Sequence, residues 1–159
     1  STAAAYARAY LDPLVAGEAV CDAITVNPYL GGDAVQPFLD AARTHQAGIY
    51  VLVRTSNKLS ALFQDHGTPR LYERVATMVD EWGMGVLGQC GLSSIGAVVG
   101  ATHPSELTAL RAALPRTPFL IPGYGAQGAG AAEIAGLHWK DASRAALDAM
   151  IAEVGALGR

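Results

Sequence analysis

Three glycines at positions 123, 125 and 128, with Gln127 between the last two, are the residues of this chain best suited to holding an anion. They follow the apolar run Pro118-Phe-Leu-Ile-Pro122 and precede an alanine-rich stretch from Ala131 that reads as a helix. Glycine takes positive φ without strain and puts no Cβ in the way of a ligand. The N–H groups of such a loop, with a helix N-terminus just beyond it, point at negative charge, which makes a phosphate cradle. Gln127 adds an amide that both donates and accepts. The spacing Gly123-x-Gly125-x-x-Gly128 also satisfies the dinucleotide-binding pattern. That pattern, however, belongs to the first βαβ unit, with an acidic residue closing the next strand. Here the match comes late, and Asp141, at about the right distance, opens a helix instead. A glycine-rich turn with no ligand is the plain alternative.

Other polar groups gather at the ends of apolar runs: Asn27 after Asp22-Ala-Ile-Thr-Val, Thr55-Ser56-Asn57 after Gly48 to Arg54, and Thr102 after Ile95 to Val99. These runs are continuous and β-branched, so they read as strands buried on both faces, as in a parallel sheet covered by helices. Between them lie helical patterns. Ala3 to Leu11 is a strong helix former with Ser1 or Thr2 as N-cap; Pro13 comes where it frays, and its apolar pattern is expected to run on to Val15. Asp33 is expected to cap a helix to His45 that buries Val35, Phe38, Leu39 and Ala42. A turn of helix is expected within Lys58 to Gly67. Thr68-Pro69 should start a helix to Trp82, with the proline at its first position. Pro104 to Leu114 is expected as a helix capped by Thr102 or His103, followed by the strand Phe119 to Ile121. Helices are read over 131–137 and 141–157. Four β-then-α units of this kind fit a (β/α) barrel or a doubly wound sheet. The gathering of polar groups just after the strands favours the barrel, whose active sites lie on the face formed by the strands' C-terminal ends.

Composition narrows the class. The 159 residues make one domain, 51% hydrophobic and 16% charged, with a net charge of −3 that offers no basic field for nucleic acid. No apolar run is long enough to span a membrane. Cys21 and Cys90 lack metal or redox spacing and read as reduced core thiols of a cytoplasmic protein. His45, His66, His103 and His138 stand singly and read as surface or capping residues, so no metal site is expected.

Four segments in order, Asp22-Ala-Ile-Thr-Val-Asn-Pro-Tyr-Leu-Gly31, Val51-Leu-Val-Arg-Thr-Ser-Asn57, Ile95-Gly-Ala-Val-Val-Gly-Ala-Thr102 and Phe119-Leu-Ile-Pro-Gly-Tyr-Gly-Ala-Gln-Gly128, resemble the orotidine 5'-phosphate decarboxylases of the longer bacterial subfamily. The resemblance covers nearly the whole chain. It implies a (β/α)8 TIM barrel, with about four of its units in this chain, acting as a homodimer. It implies decarboxylation of orotidine 5'-monophosphate to UMP, without a cofactor, in pyrimidine synthesis. Carried over by motif, Ser56 would hydrogen-bond the amide edge of the pyrimidine. Gln127, with Gly125 and Gly128 in its loop, would close over phosphate and base. Thr2 would reach the ribose across the dimer interface. Asn27, Arg54 and Asn57 would stand behind these, holding the loops.

The family's chemistry rests on an Asp-x-Lys-x-x-Asp segment whose lysine protonates C6 as CO2 leaves. The only lysines here are Lys58 and Lys140, and neither sits in such a segment. The family's last strand and its Asn-Ser-Ser-Arg-Gly-like phosphate motif are also not seen where Leu137 meets His138. The resemblance therefore predicts that segments are missing before Ser1 and between Leu137 and His138. No catalytic residue is assigned within the chain. The alternative is a non-catalytic, phosphate-binding half-barrel fragment that associates with another chain.

Overall fold

A computed structural model describes residues 1–13 and 21–123. Gly125, Gln127, Gly128, Lys140, Asp141, His138, the helices expected over 131–137 and 141–157 and any continuation of the first helix to Val15 lie outside the described residues.

Helix α1 (Thr2–Leu11) begins where Ser1 Oγ accepts the Ala4 N–H at 3.3 Å. It stops at Asp12, whose ψ of 143° is the extended conformation that a following proline requires. Strand β1 (Ala23–Val26) leads to α2 (Gly32–His45), and α1 packs against both. Asp33 does not cap α2, contrary to expectation: Gly31 is the N-cap, at a φ of 110° that favours glycine, which starts the helix before Asp33 is reached. Asp33 then lies in the first turn, where its charge suits the helix dipole. His45, in the last turn, lies 3.1 Å from Asp12 and ties the ends of α1 and α2 together.

Strand β2 (Gly48–Arg54) is followed by the short α3 (Ala61–Gln64) and by α4 (Leu71–Gly83). The expected start at Thr68-Pro69 is also corrected. Arg70 is the N-cap, and its N–H donates to the Glu73 carboxylate at 2.9 Å, which sets the first turn three residues before Glu73. Strand β3 (Ile95–Val99), α5 (Pro104–Ala113, with His103 at the N-cap position) and β4 (Phe119–Leu120) complete the described chain.

The four strands form one parallel sheet in the order β1-β2-β3-β4. Each strand pairs with the next in sequence, so the order never reverses as it does in a doubly wound sheet. This is the growth pattern of a (β/α) barrel. Ile24, Val26, Ile49, Val51, Ile95, Ala97 and Val99 pack with Leu39, Ala76, Val79 and Leu107 into one core on the helix side. By the alternation of strands, Thr25, Tyr50, Leu52, Gly96, Val98 and Leu120 take the other face. There Tyr50 lies over Gly96 so closely that a Cβ at 96 would come 2.5 Å from its ring.

Burial on both faces holds for β3 but not throughout β1 and β2: Thr25 is exposed, and Tyr50 and Leu52 are half-buried. Helices cover only one side of these strands among the described residues. Of the two cysteines expected in the core, Cys21 only borders it and Cys90 is not part of it. Cys21 is half-buried, its thiol donating to the Tyr10 carbonyl at 3.4 Å, and Cys90 is half-buried in the turn that precedes β3.

Candidate active site at the strand ends

The C-terminal ends of neighbouring strands are stitched to one another by backbone. The Gly100 N–H donates to the Arg54 carbonyl at 2.7 Å, joining the end of β3 to the end of β2. The Ala101 N–H donates to the Pro122 carbonyl at 3.0 Å, joining β3 to the start of the glycine loop. Gly123 follows at a φ of 91°, the conformation expected of the first loop glycine. Ser56 crosses directly over Gly100: a Cβ built there would stand 2.8 Å from Ser56 N and 3.0 Å from its Cα and Cβ. Ser56 therefore approaches the third strand only because residue 100 has no side chain.

Arg54 is aimed elsewhere. Leu52 pairs with Val98 but Arg54 pairs with Val99, so a bulge inserts Val53 and turns Arg54 to the helix side. Its guanidinium, 1% exposed, reaches Glu106 of α5 with two donors, Nε to Oε2 at 2.6 Å and Nη2 to Oε1 at 3.4 Å. Nη1 lies 3.1 Å from Asp65 Oδ1, off the hydrogen-bonding direction, so that contact is an ion pair. The same plane sits 5.2 Å over the Tyr72 ring, and burial holds the Tyr72 phenol above its usual pKa. Arg70 and His103 approach Glu106 more loosely, at 3.7 and 3.6 Å.

Gln64, at the end of α3, bridges this cluster to the strand end. Its Oε1 accepts the Thr55 N–H at 3.0 Å and Arg54 Nη1 at 3.4 Å, while Nε2 donates to Thr55 Oγ1 at 3.0 Å. Asn27, exposed after β1, accepts the Tyr29 N–H at 3.0 Å and so shapes its own turn. Asn57 is exposed, and its carbonyl accepts from Ser60 N–H at 3.0 Å. Thr2 is exposed at the first turn of α1. A cleft of about 470 Å³ lies among Asn27, Tyr29, Leu52, Thr55, Phe63 and Gln64. Among the described residues, no three His, Cys, Asp or Glu side chains are grouped to hold a metal ion.

Thus the fold brings Ser56 and the start of the glycine loop to one face and leaves Asn27 and Thr55 on the cleft beside them. Sequence reasoning missed Gln64, Glu106 and Gly100. Gln64 lies in a stretch without any motif. Glu106 carried a faint signal, as an acid in the first turn of a proline-started helix. Gly100 could have been suspected as a glycine closing a β-branched run.

The family model described as "Orotidine 5'-phosphate decarboxylase / HUMPS family" matches residues 1–152. An orotidine 5'-phosphate decarboxylase of Deinococcus radiodurans is 46% identical over 137 residues, covering 86% of this chain and 48% of the relative. That of Rhodopirellula baltica is 42% identical over 153 residues, covering 94% and 48%. The chain spans about half the length of the curated relatives it matches. Among solved structures, Leishmania donovani UMP synthase superposes with a TM-score of 0.67 at 34% identity, covering 98% of this chain and 36% of that one. The inhibitor-bound decarboxylase of Methanocaldococcus jannaschii, at 19% identity and a TM-score of 0.64, covers 87% and 55% and supports the barrel fold alone.

Proposed function

The chain belongs to the orotidine 5'-phosphate decarboxylase / HUMPS family, and from that premise we propose that the protein converts orotidine 5'-monophosphate to UMP and CO2 in pyrimidine synthesis, without a cofactor. The observation that carries the reading is the family match over residues 1–152, with its motifs falling on consecutive strand ends of one sheet. The half-barrel alternative has no such support.

In this reading the chain supplies binding groups. Ser56 hydrogen-bonds the amide edge of the pyrimidine, and the backbone of Pro122 to Gly128, with Gly125, Gly128 and the Gln127 side chain, closes over phosphate and base. Thr2 reaches a ribose across a homodimer interface. Asn27, Arg54 and Asn57 hold the loops from behind. When the C6–carboxylate bond breaks, its electron pair stays on C6 and must be met by a proton. Lys58 and Lys140 are the only lysines, and neither lies in the family's catalytic segment. The proton donor is therefore assigned to a segment outside these 159 residues.

Two substitutions test the binding roles. Ser56→Ala should lower kcat/KM about tenfold, the worth of one hydrogen bond; an unaltered value removes the contact. Gln127→Ala should raise KM more than it lowers kcat, because the loop grips parts of the substrate that do not react. Unchanged KM and kcat would remove that role, and a longer protein that carries the Asp-x-Lys-x-x-Asp segment yet shows no turnover would overturn the reading as a whole.

The homodimer and a cytoplasmic location belong to the same proposal. Tyr29 and Phe63, 72% and 63% exposed, meet edge to face and share a groove with Leu62 on the strand-end side, an apolar surface suited to a second copy. Sedimentation equilibrium should give twice the chain mass, and Leu62→Glu should shift it toward monomer. A monomeric wild type removes the dimer. Cys21 and Cys90 are both free, as a reducing compartment would keep them.

A further inference from the structure

We propose that Gln64 is a positioning residue: it fixes Thr55 at the end of β2 and so sets where Ser56 presents its hydroxyl. The inference rests on the proposed function in taking Ser56 as a substrate contact.

The amide of Gln64 is committed at both ends to one neighbour. Its oxygen faces two donors, the Thr55 N–H and Arg54 Nη1, and its nitrogen faces the Thr55 hydroxyl. An exchange of oxygen and nitrogen would set N–H against N–H, so the amide has a single workable orientation. Two bonds to Thr55, one to its backbone and one to its side chain, fix orientation as well as distance. A single bond would leave the residue free to swing. Thr55 is joined directly to Ser56, and on its other side Ser56 rests on Gly100, where even a methyl group has no room. Gln64 is itself braced, because Arg54 is buried and forked onto Glu106. A continuous line of contacts therefore runs from α5 through Glu106, Arg54, Gln64 and Thr55 to Ser56. Without Gln64, Thr55 would lose both of these bonds, while Arg54 would keep its fork onto Glu106 and the backbone bond from Gly100.

Gln64 also lines the cleft with Asn27 and Thr55, so direct contact with a ligand is the competing role. A double-mutant cycle separates the two, with UMP as the probe and calorimetry as the measurement. Gln64→Met keeps the length of the side chain and loses both bonds. It should weaken UMP binding about fivefold to tenfold, the scale of one hydrogen bond. The Gln64→Met, Ser56→Ala double variant should bind no more weakly than Ser56→Ala, because there is then no hydroxyl left to position. Gln64→Glu keeps the acceptor for the Thr55 N–H and for Arg54, and the Thr55 hydroxyl can turn to donate to it. It should stay within about twofold of wild type.

Wild-type affinity in Gln64→Met, or losses that multiply in the double variant, would overturn the inference. If Ser56→Ala weakens binding and Gln64→Met does not, only the inference falls. If Gln64→Met weakens binding and Ser56→Ala does not, the Ser56 contact falls and the inference with it. A wild-type protein that binds no UMP overturns the reading on which both depend. Gln64→Glu matching Gln64→Met would also overturn the inference, since the restored acceptor would then position nothing.

Discussion

Arg54→Met should cost about 3 kcal/mol of folding stability, read as a shift in the urea midpoint at constant slope. Arg54 is 1% exposed and, among the described residues, is the only one that meets the Glu106 carboxylate with two hydrogen bonds. Methionine fills much of the same space, so the loss is electrostatic rather than a cavity. It leaves Glu106, whose side chain is 18% exposed, and Asp65 without their main cation. Removing one partner of a buried pair costs roughly 3–5 kcal/mol, because the remaining charge is neither hydrated nor paired. The lower end applies here, since Glu106 keeps some water and has Arg70 at 3.7 Å. Arg54→Lys should fall between the two, as it restores a charge without the planar fork. In the Arg54→Met background, Glu106→Gln should recover part of the loss by removing the stranded charge. A midpoint for Arg54→Met within about 0.5 kcal/mol of wild type would mean that the cluster does not hold the strand end in place.

Gly100→Ala should lower kcat/KM for orotidine 5'-monophosphate about a hundredfold while the protein still folds. A Cβ at residue 100 would meet Ser56 N at 2.8 Å and Ser56 Cα at 3.0 Å. These are backbone atoms with no rotamer by which to escape, so the Ser56 segment must shift. Overpacking of this sort costs about 1–3 kcal/mol in stability. Its larger effect is on geometry, since a displacement of about 1 Å in a positioning element can cost a hundredfold in rate. Steady-state kinetics alongside thermal melts would separate the two effects. Wild-type kcat/KM in a folded Gly100→Ala protein would show that the close approach at Gly100 does not set the position of Ser56. Gly100→Ala should also exceed Ser56→Ala in its effect, because it displaces Thr55 as well as the hydroxyl.

What local chemistry dictates was legible from the residues. The β-branched runs 48–54 and 95–99 are β2 and β3 residue for residue. Pro104 opens α5, where its fixed φ suits a first turn, and Ser1 caps α1 with its hydroxyl. The two capping errors were also local contests, with the competing residue close by. Gly31 at positive φ outran Asp33, and the reach of Glu73 back to Arg70 outran Thr68-Pro69.

The strand types, their parallel arrangement and the gathering of Asn27, Ser56, Thr102 and Gly123 at strand ends followed from the sequence alone, because burial patterns and turn residues act over a few positions. Only the tertiary structure decided which way Arg54 points. Its direction comes from a bulge that exists only in the register between β2 and β3, some 45 residues apart in the chain. Glu106 lies 52 residues from Arg54 and Gln64 nine from Thr55, and neither spacing is a period of any helix or strand. The fit of Ser56 over Gly100 likewise depends on two chain segments meeting in space. Such contacts arise when elements pack, and a linear sequence carries no periodicity from which to read them.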